Sequence, residues 1–107
     1  MNKYGLDNDV LAEIAAIFEQ YPPVSRVVLF GSRAMGTHRP GSDIDLAIEG
    51  DDLGLWDIVN LLDALEELDL LYSFDLLNRQ NIAEPALIDH INRVGVPIYN
   101  RLPVTAS

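Results

Sequence analysis

Two short strand-like runs separated by about a dozen residues constrain this chain most. Ser25–Phe30 (Ser-Arg-Val-Val-Leu-Phe) is rich in β-branched and aromatic residues and stops at Gly31, a composition suited to a buried, pleated surface. Asp43–Glu49 (Asp-Ile-Asp-Leu-Ala-Ile-Glu) alternates polar and apolar and then turns apolar, as a strand does on leaving solvent for a sheet; Gly50 closes it. The connection between the runs carries Gly, Pro, Ser and Thr and has room for at most one helical turn. An ordinary parallel crossover needs a full helix. The two strands are therefore expected to be antiparallel or part of a mixed sheet.

Around this pair the pattern is helical or strand-like by turns. After Asp7, a residue suited to cap a helix, apolar side chains fall at Val10, Leu11, Ile14, Ile17, Phe18 and Tyr21, the spacing of one helical face, and Pro22 and Pro23 end it. From Gly54 to about Asp69, the residues Leu55, Ile58, Val59, Leu61, Leu62, Leu65 and Leu68 occupy half of a helical wheel. Tyr72–Asn78 predicts a third strand, Asn81 a helix start, Gly95 the end of that helix near Val94, and Val96–Tyr99 an edge strand that tolerates Pro97. The fold class implied is α/β (α+β): a small mixed sheet with helices packed on one face. A single domain over 1–107 is expected, with an ordered core from about 5 to 101 and a frayed Leu102–Ser107 tail.

Composition removes several function classes. With 107 residues and 49% apolar side chains the chain can bury one core, and a separate substrate-binding domain does not fit. The absence of cysteine excludes disulfide frameworks, thiolate zinc sites and cysteine nucleophiles. No apolar run resembles a signal peptide or a membrane span, which leads us to expect a cytoplasmic location. A net charge of −10 disfavours nucleic acid as principal partner. The charge is uneven, however. Gln20–Ser42 holds no acidic residue and three arginines, Arg26, Arg33 and Arg39.

Three features converge on chemistry. Gly31-Ser32 follows directly on a strand, where glycine admits close backbone approach and serine adds a hydroxyl, an arrangement that can cradle phosphate as well as make a plain turn. Asp43 and Asp45 lie two apart on the second strand, so their carboxylates share one face with Cα atoms roughly 6 to 7 Å apart. Such a pair serves a divalent cation, or merely a solvated strand entry. Asp75 sits within the apolar run Tyr72-Ser73-Phe74-Asp75-Leu76-Leu77, where an unpaired buried carboxylate costs several kcal/mol. If its strand adjoins that of Asp43, three carboxylates gather, and such clusters clamp a phosphoryl group through two metal ions about 3.5 to 4 Å apart.

Gly31-Ser32, the ten residues Arg33–Ser42 and Asp43-Ile44-Asp45 match without a gap the Gly-Ser, ten residues, Asp-x-Asp signature. In this the chain resembles the minimal nucleotidyltransferases of the DNA polymerase beta superfamily. Gly36, Thr37, Arg39, Ser42 and Leu46 also look like the small bacterial members. The resemblance implies a polymerase beta-like fold, with Asp43, Asp45 and Asp75 as catalytic metal ligands for two Mg2+ ions and Asp75 also as base. Gly31 and Ser32 would bind the β- and γ-phosphates of ATP, with Arg33, Arg39 and Ser42 as further candidates for the nucleotide. Members of this size look like MntA-type antitoxins of the HEPN/MNT (type VII) toxin-antitoxin module. The implied activity is that of a protein adenylyltransferase, which moves AMP from ATP to a tyrosine of a HEPN ribonuclease toxin and silences it. The alternatives are an antitoxin that acts by occlusion alone and, less in keeping with the length, a small-molecule nucleotidyltransferase.

Other residues read more plainly. His38 is expected to be solvent-exposed in its loop and His90 to lie at the surface or boundary of the last helix. Met35 is expected to pack. Asp57, Asp63 and Glu67 form a solvated helix face, on which Trp56 is either half-buried or an anchor for a partner.

Overall fold

The computed structural model describes residues 4–68 and 70–101. The expected tail at Leu102–Ser107 and the helix end near Asp69 lie outside them. In chain order the elements are α1 (Asn8–Glu19), β1 (Val24–Phe30), α2 (Gly31–Met35), β2 (Ile44–Gly50), α3 (Leu55–Glu66), β3 (Phe74–Asn78), a 3-10 turn (Arg79–Asn81), α4 (Pro85–Val94) and β4 (Val96–Asn100). The strands form one sheet in the order β3-β2-β1-β4. β1 runs antiparallel to both β2 and β4, and β2 runs parallel to β3. The sheet is mixed, as expected. The short connection after β1 returns antiparallel, and the one parallel step, β2 to β3, is bridged by α3 as a parallel crossover requires.

Period-2 alternation divides β1 between two cores. Val27 and Leu29 face a cluster with Ile14, Phe18, Leu46, Ile48, Leu61, Leu65 and Leu76, under α1 and α3. Val28 and Phe30 face the opposite side with Ala47 and Ile91. The expectation that the helices share one face therefore holds for α1 and α3 and needs correction for α4, which brings Ile91 to the other side. A strand as apolar as β1 can bury both its faces, so the helices have two faces to cover. Each fully buried leucine or phenylalanine contributes roughly 1.5–3 kcal/mol.

Helix ends tie the layers together. Tyr21, just beyond α1, donates its hydroxyl to Asp57 of α3, and the other carboxylate oxygen of Asp57 accepts the Gly54 N–H at 2.7 Å, closing the first turn of α3. The last turn of α1 has no basic residue of its own; Arg101, beyond β4, supplies one by donating to the carbonyls of Glu19 (3.0 Å) and Phe18 (3.5 Å). The α4 start differs from expectation. Asn81 ends the 3-10 turn, and the helix begins at Pro85 behind Glu84, because proline with its preset φ suits the first helical position. Gly95 ends α4 without the left-handed conformation expected there (φ −60°). A Cβ at Gly95 would collide with the Ile91 carbonyl and the Val28 side chain, so close packing explains it.

Leu55, expected in the buried arc of α3, is 76% exposed beside Trp56 at 75%. Burial along this helix becomes complete only at Leu61 and Leu65. Among the described residues no helix is long and apolar enough to cross a membrane.

Candidate functional site

The C-terminal end of β1 meets the N-terminal ends of β2 and β3. Phe30 pairs with Asp45 across the antiparallel ladder, and Asp45 pairs with Asp75 across the parallel one. Asp45 and Asp75 thus arrive at one sheet end by register, and Asp43 stands in the loop immediately before β2 at that same end. Gly31 leaves β1 at φ +77°, and a Cβ there would overlap the Asp45 carboxylate. Only glycine fits both the conformation and the space.

Asp45 is half-buried, whereas Asp43 and Asp75 are exposed. The expectation of a buried Asp75 is corrected here. β3 is the edge strand, and its buried residues Leu76 and Asn78 alternate with outward ones. Asn78 is the polar group buried in β3, donating to the Leu53 carbonyl at 3.0 Å and accepting the Gln80 N–H at 3.1 Å. Burial first, then the charges of Asp75 and Asp43, push the Asp45 carboxyl up from its ordinary range, while His90 and Arg33 pull it down. The three acids are therefore electrostatic neighbours. Among the described residues, though, no three acidic or histidine side chains form a ready-made metal cage. Asp45 and Asp75 are adjacent strand positions and Asp43 precedes β2, so the three expected carboxylates are neighbours without forming a closed ligand set. That is compatible with Mg2+, which takes one or two carboxylates and completes its shell with phosphate oxygens and water.

α2 is a five-residue helix that carries Ser32 in its first turn and stops at Gly36 in the left-handed region (φ 75°). The Thr37 N–H donates to the Ser32 carbonyl at 2.9 Å. Gly31 differs from expectation: its N–H donates to Nε2 of His90 at 3.1 Å. The donor expected to meet an anion already has a protein acceptor.

Arg33 also departs from its expected phosphate role. It is 2% exposed. Nε and Nη2 donate to the Ser42 carbonyl (3.2 and 2.9 Å), and Nη1 donates to the carbonyls of Tyr4 (2.9 Å) and Gly5 (3.4 Å). The guanidinium lies over the Tyr72 ring, 4.8 Å from its centroid. A buried cation demands such partners, and here they tie the N-terminal segment to the loop that delivers Asp43. Ser42 is likewise built into the loop, its hydroxyl accepting the Arg39 N–H at 2.9 Å. Arg39 is exposed, leaving its side chain open to an incoming anion.

A cleft of about 390 Å³ lies beside this loop, lined by Gly5, Arg33, His38, Pro40, Gly41, Leu71 and Tyr72. None of the three acids lines it. His38, expected to be free in solvent, is partly buried, with Nδ1 enclosed and unpartnered. Met35, expected to pack, is 49% exposed.

Sequence reading missed His90 as part of the site. Its ring meets Phe30 edge to face, with centroids 6.3 Å apart and planes at 82°. A signal was present in the helical spacing: His90 falls three residues after Leu87 and one before Ile91, both in the α4 contact with the sheet.

Known proteins agree with this architecture. The sequence family described as Polymerase beta, Nucleotidyltransferase matches residues 12–103. A structure described as that of a minimal nucleotidyltransferase superposes with a TM-score of 0.68 at 31% identity, over 87% of this chain and 97% of that one. A toxin-antitoxin crystal structure with AMP-PNP gives a TM-score of 0.70 at 26% identity, over 84% of this chain and 73% of that one. A tri-AMPylated Shewanella oneidensis HEPN toxin in complex with MNT antitoxin matches in fold, with a TM-score of 0.67 at 21% identity over 89% and 73%. Register, glycine approach and family match lead to one assignment: this chain belongs to the polymerase beta nucleotidyltransferase family.

Proposed function

We propose that this protein is the antitoxin of a HEPN/MNT pair and transfers AMP from ATP to a tyrosine of its partner toxin. The observation that carries the reading is the register that sets Asp45 between Gly31 and Asp75, with Asp43 two residues upstream. The similarity to a toxin-antitoxin structure holding AMP-PNP and to one whose toxin is AMPylated supports the choice of nucleotide and partner.

In this reading Asp43, Asp45 and Asp75 would hold Mg2+. The ions would neutralise triphosphate charge and make the attacking hydroxyl more acidic. The Ser32 hydroxyl and N–H bind the β- and γ-phosphates, and Gly31 admits their approach. Arg39 adds a guanidinium suited to phosphate oxygens. Asp75, exposed on its edge strand, accepts the proton of the partner's tyrosine. The phenolic oxygen then bonds to the α-phosphorus as the bond to the bridging oxygen breaks, and pyrophosphate leaves with the electron pair. The acceptor comes from the partner. The acidic exterior suits a basic partner.

Mass spectrometry of the partner toxin after incubation with this protein, ATP and Mg2+ tests the reading. One or more AMP additions are expected, lost in the Asp43→Ala/Asp45→Ala double variant. No addition with the wild type, alongside neutralisation that survives the double variant, would establish occlusion instead.

A further inference from the structure

The strongest unassigned contact at this sheet end joins α4 to the phosphate turn. His90 reaches from α4 to the first residue after β1 and accepts its N–H at 3.1 Å. With Nε2 as acceptor, the ring carries its proton on Nδ1. Phe30 holds the ring edge to face, and Ile91, the next residue, is buried in the core under α4. His90 is therefore held by Phe30 and carried on a helix anchored by the adjacent Ile91. Its acceptor holds the N–H of the peptide that enters Gly31, where the chain turns off β1 at a φ of +77°.

We infer that His90 is a positioning residue for the nucleotide's phosphates: by binding the Gly31 N–H it orients the turn so that the N–H and hydroxyl of Ser32 face the incoming anion. The inference rests on the nucleotide reading above. It acts through the backbone and requires no contact between the imidazole and the nucleotide.

Three variants test this. His90→Leu keeps an apolar group against Phe30 and removes the acceptor. His90→Gln keeps a carbonyl acceptor on a flexible stem. Ser32→Ala removes the hydroxyl that the turn is said to aim. Binding of Mg-AMP-PNP by calorimetry is expected to weaken on the order of tenfold in His90→Leu, the effect of leaving one backbone donor unpaired, and to recover in His90→Gln. In the transfer assay the KM for ATP should rise more than kcat falls, and Gly31 amide exchange should quicken in His90→Leu. Wild-type affinity in His90→Leu, with the Gly31 amide unchanged, overturns the inference while leaving the nucleotide site intact. If the wild type itself binds no Mg-AMP-PNP, the nucleotide reading fails and the inference falls with it. Should His90→Leu not fold, His90→Gln carries the test: near-wild-type affinity is expected, and a loss as large as that of Ser32→Ala overturns it.

Discussion

Gly31 has no room for a side chain because Asp45 occupies the space. A Cβ built at Gly31 lies within 3.0 Å of Oδ2 of Asp45, closer than packed atoms approach. Gly31→Ala would suffer this overlap and a left-handed backbone that costs an alanine on the order of 1–2 kcal/mol. A fall in melting temperature of roughly 10 °C is expected at this chain length, together with loss of AMP transfer as Asp45 is displaced. Thermal melting and the transfer assay check it. A variant that melts and transfers like the wild type would show that the close approach is dispensable.

Arg33 is expected to matter for stability more than for nucleotide affinity. Arg33→Ala removes the guanidinium's hydrogen bonds to the Ser42, Tyr4 and Gly5 carbonyls and empties a buried site, a loss of roughly 2–4 kcal/mol. Arg33→Lys should lose about half as much, because one ammonium cannot span both the Ser42 and Tyr4 carbonyls as the guanidinium does. Denaturant midpoints measure this. Equal stability with weakened nucleotide binding would return Arg33 to the phosphates.

Asp45 and Asp57 answer pH in opposite directions. Burial and neighbouring acids raise the Asp45 carboxyl, so its contribution to stability is full below the ordinary aspartate range and is lost as pH rises through the raised value. The Gly54 N–H first, then the Tyr21 hydroxyl, hold Asp57 below that range. Its contribution is present above the ordinary range and is lost as pH falls through the lowered value. Asp45→Asn should therefore melt above the wild type near pH 7, with the difference closing below about pH 4. Asp57→Asn should melt below the wild type near pH 7, with its deficit shrinking in acid. Melting curves across that range decide it, and an offset independent of pH in either variant contradicts the assignment.

Much of the fold was legible because its signals are local. The helical spacing from Val10 to Tyr21, the β-branched run before Gly31, the too-short connection to Asp43 and Pro97 at an edge each act over a few residues, and each has its counterpart in the structure. Strand periodicity predicts Asp43 and Asp45 on one face of a strand, whereas β2 begins only at Ile44 and leaves Asp43 in the loop before it. The α4 start differs because Asn81 closes a 3-10 turn and Pro85, whose φ is preset for a first helical position, begins the helix.

The sequence by itself determined the element order, the antiparallel return after β1 and the residue types available for phosphate and metal. Tertiary structure decided which of them meet. Asp75 reaches Asp45 through a parallel ladder whose register lies 30 residues away in sequence, and its exposure follows from β3 being an edge. Arg33 and Arg39 are alike in type and both lie between β1 and β2, yet one is buried against three carbonyls and the other faces solvent. His90 meets Gly31 across 59 residues. Such long-range pairings depend on how the two sheet faces are covered, and no local pattern encodes that, because the energy selecting them is the burial of the whole core.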